Sequence, residues 1–503
     1  MKTIYRATRV RTFSHPIEGE WLLVDGRHVE RVGSGDPPDA DRTVELPGTT
    51  IIPGFLDAHV HLTGTGLHMA GPDLSAARSK EDLLASLGEA VSKTAGPVLL
   101  HGFDETTWQR PDLPTVTELD AVSADPVVCV RADGHVSLAN TAALASSDAG
   151  ALEGVERDAT GRPTGVVRRE ANAAVQKWFH RSLPDQRVEE YQLQACGLAA
   201  SRGITCVHEM AVPDLRGIRD VEILVNQRAK LPVDVVTYVA TTDIPMVMDL
   251  GLSTIGGDLS LDGSIGARTA HVSEPYVDGD GTGVRYLEDD DLTEFLHNAH
   301  LGGLQVGLHA IGDGAIEQAV SAWERVYRSL DSRERRHFRA RRHRLEHFEM
   351  ASGDQVERGA MLGLAVSVQP AFDALWGHPG ALYERRLGET RAGAMNPFRS
   401  LIARGMELGA GSDSPVTPLD AWFGIAALES HHDASQRFTR DEALRLFTVG
   451  GARLAHLEEK KGRLQPGAQA DFAAYELDPM TGDTSVELRP VLTVSLGREV
   501  FAA

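Results

Sequence analysis

The chain has 503 residues, past the roughly 250 to 300 at which a single core stops growing, so one large domain with satellites, or about two to three domains, is expected. Its 42% hydrophobic and 24% charged residues exclude a disordered chain. Seventy-two acidic against 50 basic residues leave a net charge of -22; this repels phosphate backbones and anionic membranes, and sets nucleic-acid and membrane partners aside.

Taken from the N-terminus, Met1 to Phe13 carries scattered charges and no apolar run of the roughly 7 to 15 residues of a secretory signal. No segment nears the roughly 18 apolar residues of a membrane span. Cys129, Cys196 and Cys206 lie in apolar patterns without CxxC spacing and read as buried free thiols. A cytoplasmic location is therefore expected. Residues 1–50 alternate apolar and polar positions, with turn signals at Asp25-Gly26 and over 33–38, which predicts short antiparallel strands. The last stretch reads the same way, so 1–50 and 456–503 are expected to pair into one small β domain.

Between the ends, short apolar runs alternate with helical patterns. Eight strands are predicted, at 51–58, 204–208, 233–239, 257–262, 304–309, 343–347, 364–368 and 407–412. Gly203, Gly303, Gly363 and Gly405 close the helical segments before several of them, as helix ends prefer. Eight such units predict an α/β fold, a closed (β/α)8 TIM barrel made of strand 51–61 and the segment 186–455. Residues 62–185 are too many for a βα loop. With a helix predicted over 80–93 and strands over 98–103 and 127–131, they read as an insertion over the barrel mouth.

The strongest chemical signal is Pro53-Gly-Phe-Leu-Asp-Ala-His-Val-His61. Alternation points both imidazoles to one face, where they can converge on a metal, and barrel active sites sit at the carboxyl ends of the strands. His309, His347 and Asp413 follow at the ends of the fifth, sixth and eighth predicted strands. Four histidines and an aspartate so placed predict a metal site.

With Arg131-Ala-Asp-Gly-His135, Asn140, Gly161-Arg-Pro-Thr-Gly165, Asp262-Gly-Ser-Ile-Gly-Ala-Arg-Thr269, His309-Ala-Ile-Gly-Asp313 and Gly467-Ala-Gln-Ala-Asp471, the set resembles the amidohydrolase superfamily. More narrowly, it resembles the amidohydrolase family 3 group that includes N-substituted formamide deformylase. The resemblance implies a barrel with a small β-sandwich from both termini. It also implies that His59, His61 and Asp413 hold one metal, with His309 and His347 on a second ion or on the substrate side. Imidazole and carboxylate suit a zinc-like ion with an open position for water, and the ion activates that water and polarises the scissile carbonyl. Asp413 is then the catalytic residue that takes the water's proton to the leaving nitrogen.

One departure stands out. Two-metal relatives bridge their ions with a carboxylated lysine on the fourth strand, where this chain has Asp258, and no lysine occurs between Lys230 and Lys460. No carboxylated lysine is expected, and the site holds one ion or a pair bridged otherwise, with Glu209 after the second strand as a metal-ligand candidate and Asp258 as the other. His208 should point into the helix layer if that strand alternates. His135 and Arg268 are candidate substrate-binding residues, with Trp108 and Trp376 behind them. The basic run from Arg333 to Arg344 reads as a solvated helix face.

The expectation is a metal-dependent hydrolase of non-peptide C–N bonds in an amide, formamide or cyclic amide, using metal-activated water on a small-molecule substrate. The alternatives are a mononuclear-metal deaminase of an amino-heterocycle and a non-catalytic binding or regulatory barrel. The sequence leaves the oligomeric state open, a homo-oligomer among the options.

Overall fold

A computed structural model describes residues 1–503 apart from Asp133, His135 and 482–487, with the side chain of Thr106 also left out. Alternating patterns shape both ends of the chain. The strands Lys2–Arg11, Glu18–Asp25, His28–Gly33 and Arg42–Pro53 join Phe472–Tyr475, Leu492–Ser495 and Arg498–Ala502 in one seven-stranded sheet. The seam between the two ends pairs Phe472 with Pro53 and Tyr475 with Thr50. Val10, Leu22, Val24, Ile51, Phe472 and Val494 share one buried cluster, each such side chain stabilising by about 1.5–3 kcal/mol. Asp25 pairs with His28, so Gly26 and Arg27 form a two-residue turn, and Gly26 takes the left-handed φ of 58° that such a hairpin needs at its first central position.

Pro53-Gly54 ends this sheet, later than the expected boundary at residue 51, and the first parallel strand is Phe55–Val60. Gly54 lies so close to Thr205 that a Cβ there would come within 2.3 Å of its side chain, which is why a glycine marks the passage from one sheet to the next. Parallel strands follow at Ile204–Ala211, Asp234–Val239, Thr254–Ile255, Gln305–Ala310, Arg344–His347, Ala365–Val368 and Glu407–Ala410. The first three form one sheet and the last five another. The sheets are joined at both margins. Gly256 N–H donates to Val239 O at 2.8 Å. On the other side Asp413 N–H donates to His59 O and His61 N–H to Ser414 O, both at 2.8 Å.

The fourth strand departs from expectation. It covers only Thr254–Ile255, where 257–262 was predicted, and resumes as a single bridge between Ser260 and His309. Gly256 and Gly257 take φ of 81° and 69° and press against Gly307 and Tyr238. Left-handed residues cannot continue a ladder, so the strand breaks and the next side chain, Asp258, is re-aimed.

Residues 63–194 and 212–224 form a second compact unit; it starts one residue after the expected 62–185, runs nine residues past its end and adds a separate segment. Its five-stranded sheet runs in the order Val98–Phe103, Val127–Arg131, Val136–Ala139, Pro163–Arg168, Val155–Arg157. Helix Lys80–Lys93 starts where predicted because the Ser79 side chain accepts from Asp82 N. Among the described residues no helix is long and apolar enough to cross a membrane.

Candidate metal centre

Strand Phe55–Val60 is buried throughout, and alternation sends His59 and His61 to one side, their rings 5.5 Å apart. His59 Nδ1 lies 3.0 Å from Glu346 Oε2, and His61 Nδ1 lies 2.8 Å from the Met210 carbonyl. Both partners only accept, so each Nδ1 carries the proton and each Nε2 presents a lone pair to the same space.

The other groups arrive from strand ends. Asp413, at φ 57° after Glu407–Ala410, brings Oδ1 to 3.1 Å from His61 Nε2 and 3.5 Å from His59 Nε2. Asp258 lies among four imidazoles. Its oxygens are 3.2 Å from His61 Nε2, 3.3 Å from His309 Nδ1, 3.6 Å from His59 Nε2 and 3.7 Å from His347 Nε2. His347 takes φ 71°, which breaks alternation and lets consecutive residues, Glu346 and His347, both serve this space. Its Nδ1 is held by Gln369 Oε1 at 2.8 Å and its ring lies parallel to Phe372.

Two overlapping groups of donors result, His59 with His61 and Asp413, and His59 with Asp258 and His347, the donor atoms of each within 4.8 Å of one another. The residues fit a divalent ion. His59 Nε2 and Asp413 Oδ1 are buried, 3.5 Å apart, and neither makes an aligned hydrogen bond; a shared cation would satisfy both. His309 stands beside these groups, its Nε2 facing the Gly263 carbonyl at 3.3 Å and its Nδ1 facing Asp258.

The electrostatics agree. Burial pushes the Asp258 carboxyl up, but the imidazoles of His59, His309, His347 and His61 outweigh it and hold the group well below the usual range. Asp413 is likewise lowered by His59 and His61 against burial. Burial works against protonated His61 and His309, yet the facing carboxylates raise His61 well above its ordinary value and His309 to about 9. Burial and neighbouring His309 lower His347.

The expected residues divide. His59, His61, His347 and Asp413 meet as read from the sequence, and His309 borders them. Glu209 does not join them. Its Oε2 accepts the Leu62 N–H at 2.6 Å. Glu209 falls in neither group of donors among the described residues, and because its strand neighbour His208 faces the buried Arg344, alternation turns Glu209 to the opposite, helix side. His208 is reversed too, pointing inward with Nδ1 accepting from Arg344 Nη1 at 3.0 Å. The two exchange faces because alternation separates neighbours without saying which is inside. Arg268 is held at the surface by Asp278, at 2.7 and 2.9 Å, and Trp108 is buried with its indole N–H on the Ala77 carbonyl. Trp376 packs on Phe372 at 4.7 Å. His135 lies outside the described residues. Glu346 and Arg344 were missed; both are fully buried, and the signal for them was an Arg-x-Glu pair on one face of a strand.

Asp373, His431 and His432 form a further acidic and imidazole group, but its nitrogens are engaged. His431 Nδ1 accepts from Asp433 N and its Nε2 faces the Asn396 carbonyl, while His432 bridges Asp373 and the Gly393 carbonyl. It is a hydrogen-bonded knot that ties loops together.

Residues 42–501 match the model of the amidohydrolase family. Protein LONG AFTER FAR-RED 3 of Arabidopsis thaliana is 29% identical over 91% of this chain and 84% of its own length. Putative amidohydrolase YtcJ of Bacillus subtilis (strain 168) is 28% identical over 90% and 88%. N-substituted formamide deformylase of Arthrobacter pascens is 24% identical over 94% and 91%. An uncharacterised metal-dependent hydrolase from Pyrococcus horikoshii OT3 superposes with a TM-score of 0.82 at 25% identity, covering 96% of this chain and 99% of that one.

Proposed function

Because the chain belongs to the amidohydrolase family, we propose that it hydrolyses a carbon–nitrogen bond outside a peptide chain, in an amide, formamide or cyclic amide of a small molecule. The observation that carries this reading is the convergence of His59, His61, Asp258, His347 and Asp413 around two buried donor atoms, one nitrogen and one oxygen, that lack aligned hydrogen bonds. The name of the deformylase relative supports the bond class. A divalent ion held by these residues, zinc by the types of donor, would lower the pKa of water toward 7 and polarise the carbonyl under attack.

The chain's own side chains do the rest. Asp413 is placed to accept a proton at Oδ1 and hand it to the leaving nitrogen. Asp258 stands where two-metal relatives carry a modified lysine, and it supplies the negative charge that such a lysine would bring. The hydrogen bonds at both margins of the eight parallel strands support closure as a (β/α)8 barrel, with the catalytic side chains at the strands' carboxyl ends. The reading includes a cytoplasmic location, in keeping with three buried free thiols.

A metal count on freshly purified protein, joined to a screen of amides, formamides and amino-heterocycles, tests it. Bound metal with hydrolysis of an amide or formamide is the expected result. Ammonia release from amino-heterocycles alone would make the protein a deaminase, and metal-free protein inert toward all three classes would overturn the reading.

A further inference from the structure

Resting on the metal-centre reading above, we propose that the buried pair Arg344–Glu346 is a positioning device for His59. It fixes which nitrogen of that ring faces the centre and so sets how tightly the centre holds its ion. His59 is the one residue common to both groups of donors among the described residues, so its orientation governs both.

The histidines of the site are anchored in different ways. His61 rests on a backbone carbonyl, His347 on the Gln369 amide and His309 on the Gly263 carbonyl. Of these four, His59 is the one whose anchor is a carboxylate at hydrogen-bond distance, Glu346 Oε2 at 3.0 Å; the Asp262 carboxylate beside His309 Nε2 stands farther off, at 3.7 Å. A carboxylate behind a ligating imidazole fixes its tautomer and raises its basicity more than a neutral acceptor does.

The carboxylate is itself held rigid. Arg344 donates from Nε to Glu346 Oε1 at 2.6 Å and from Nη2 to Oε2 at 2.8 Å, a two-pronged fork that fixes the carboxylate plane. The same Nη2 donates to the Ala58 carbonyl at 2.7 Å, the residue immediately before His59. Arg344 therefore gauges the acceptor and the strand that carries the ligand in one rigid group. Nη1 donates to His208 Nδ1, and the guanidinium carbon lies 4.6 Å from the centre of the Tyr238 ring. His59, His208, Arg344 and Glu346 are all completely buried. A buried ion pair does little for stability compared with an apolar pair of the same shape, so its presence calls for another purpose. Holding His59 in register supplies one.

The test uses the full-length protein stripped of metal, with cobalt(II) as the probe. Glu346→Asp keeps the charge that faces Arg344 but draws the carboxylate back by one carbon–carbon bond, about 1.5 Å, out of reach of His59. Glu346→Gln combined with Arg344→Gln removes both charges and strands neither. Chelator competition reads the cobalt affinity, the visible spectrum reads the ligand field, and urea unfolding of the metal-free forms reads the fold. Both variants are expected to bind cobalt about 10- to 100-fold more weakly, with a shifted visible band and a metal-free fold that persists. Cobalt affinity within twofold of wild type with an unchanged spectrum overturns the proposal, as does loss of the metal-free fold in both variants. If the wild-type protein binds neither cobalt nor zinc, the metal-centre reading fails instead, and the two failures are told apart.

Discussion

Asp258→Asn removes one negative charge from the centre and leaves the shape of the side chain. Its carboxylate stands 3.2 to 3.7 Å from four imidazole nitrogens. Its side chain is only 16% exposed, so solvent screens little of that interaction. Removing one member of a buried charged arrangement costs about 3–5 kcal/mol. At 1.4 kcal/mol per tenfold, the dissociation constant for zinc should rise roughly 10²- to 10⁴-fold. Glu209→Gln is the counterpart. Glu209 accepts the Leu62 N–H at 2.6 Å, and a hydrogen bond to a charged group is worth about 1.5–3 kcal/mol. The amide oxygen can still accept, so about 1 kcal/mol of stability should be lost, with zinc affinity untouched. Metal-free protein titrated with zinc against a chelator gives the affinities, elemental analysis gives the stoichiometry, and urea unfolding gives the stabilities. The reasoning is refuted if Glu209→Gln weakens zinc tenfold or more while Asp258→Asn stays within twofold of wild type.

Asp413→Asn keeps a ligating oxygen but cannot take a proton, so kcat/KM should fall about 10²- to 10⁴-fold in protein that still carries its metal; near-normal turnover of the loaded variant would remove the base role. Lys461 is fully buried between Asp471 Oδ2 at 2.6 Å and Asp234 Oδ2 at 3.4 Å. Lys461→Met leaves both carboxylates without that cation and should cost about 3–5 kcal/mol in urea unfolding, so a loss below about 1 kcal/mol would contradict the assignment. The hydrogen bond that His432 donates to Asp373 raises His432 against the effect of burial, while burial pushes Asp373 up and His432 and His431 more than reverse it. The His432 contribution to stability is therefore complete below its unfolded value of 6.5 and lost as pH rises through the higher folded value. The Asp373 contribution is complete above 3.8 and lost as pH falls through the lower folded value. The stability gap between wild type and His432→Gln should accordingly be widest between the two unfolded values, 3.8 and 6.5, and narrow as pH rises above the latter; a gap that ignores pH would show that the pair is not ionised.

Much of the candidate metal centre was legible because its residues announce themselves by type and by place at strand ends. His59 and His61 needed only alternation. The helix Lys80–Lys93 was legible through its Ser79 cap, and the pairing of the two ends through matching alternation in both. Arg344 was not. It closes a run of arginines that composition reads as solvated, and helix Ser332–Arg341 indeed buries only Phe338. Three residues beyond that helix, Arg344 is inside because Glu346 on the same strand face compensates its charge.

What the sequence by itself determined is a set of donors with metal-ligand chemistry, a parallel α/β pattern to carry them, and the absence of a lysine that could be carboxylated on the later strands. Those follow from local properties: side-chain type, period-two alternation and helix capping. Which carboxylate enters the centre was decided only by tertiary structure. Glu209 sits in a strand that pairs in unbroken register with Asp234–Val239 and whose inward face depends on its neighbours, whereas Asp258 follows two left-handed glycines that end a ladder and turn the chain inward. Alternation assigns faces relative to one another. The packing of Gly256 against Gly307 and of Gly257 against Tyr238 assigns them absolutely, and that contact joins residues about 20 to 50 positions apart, beyond the reach of any local pattern.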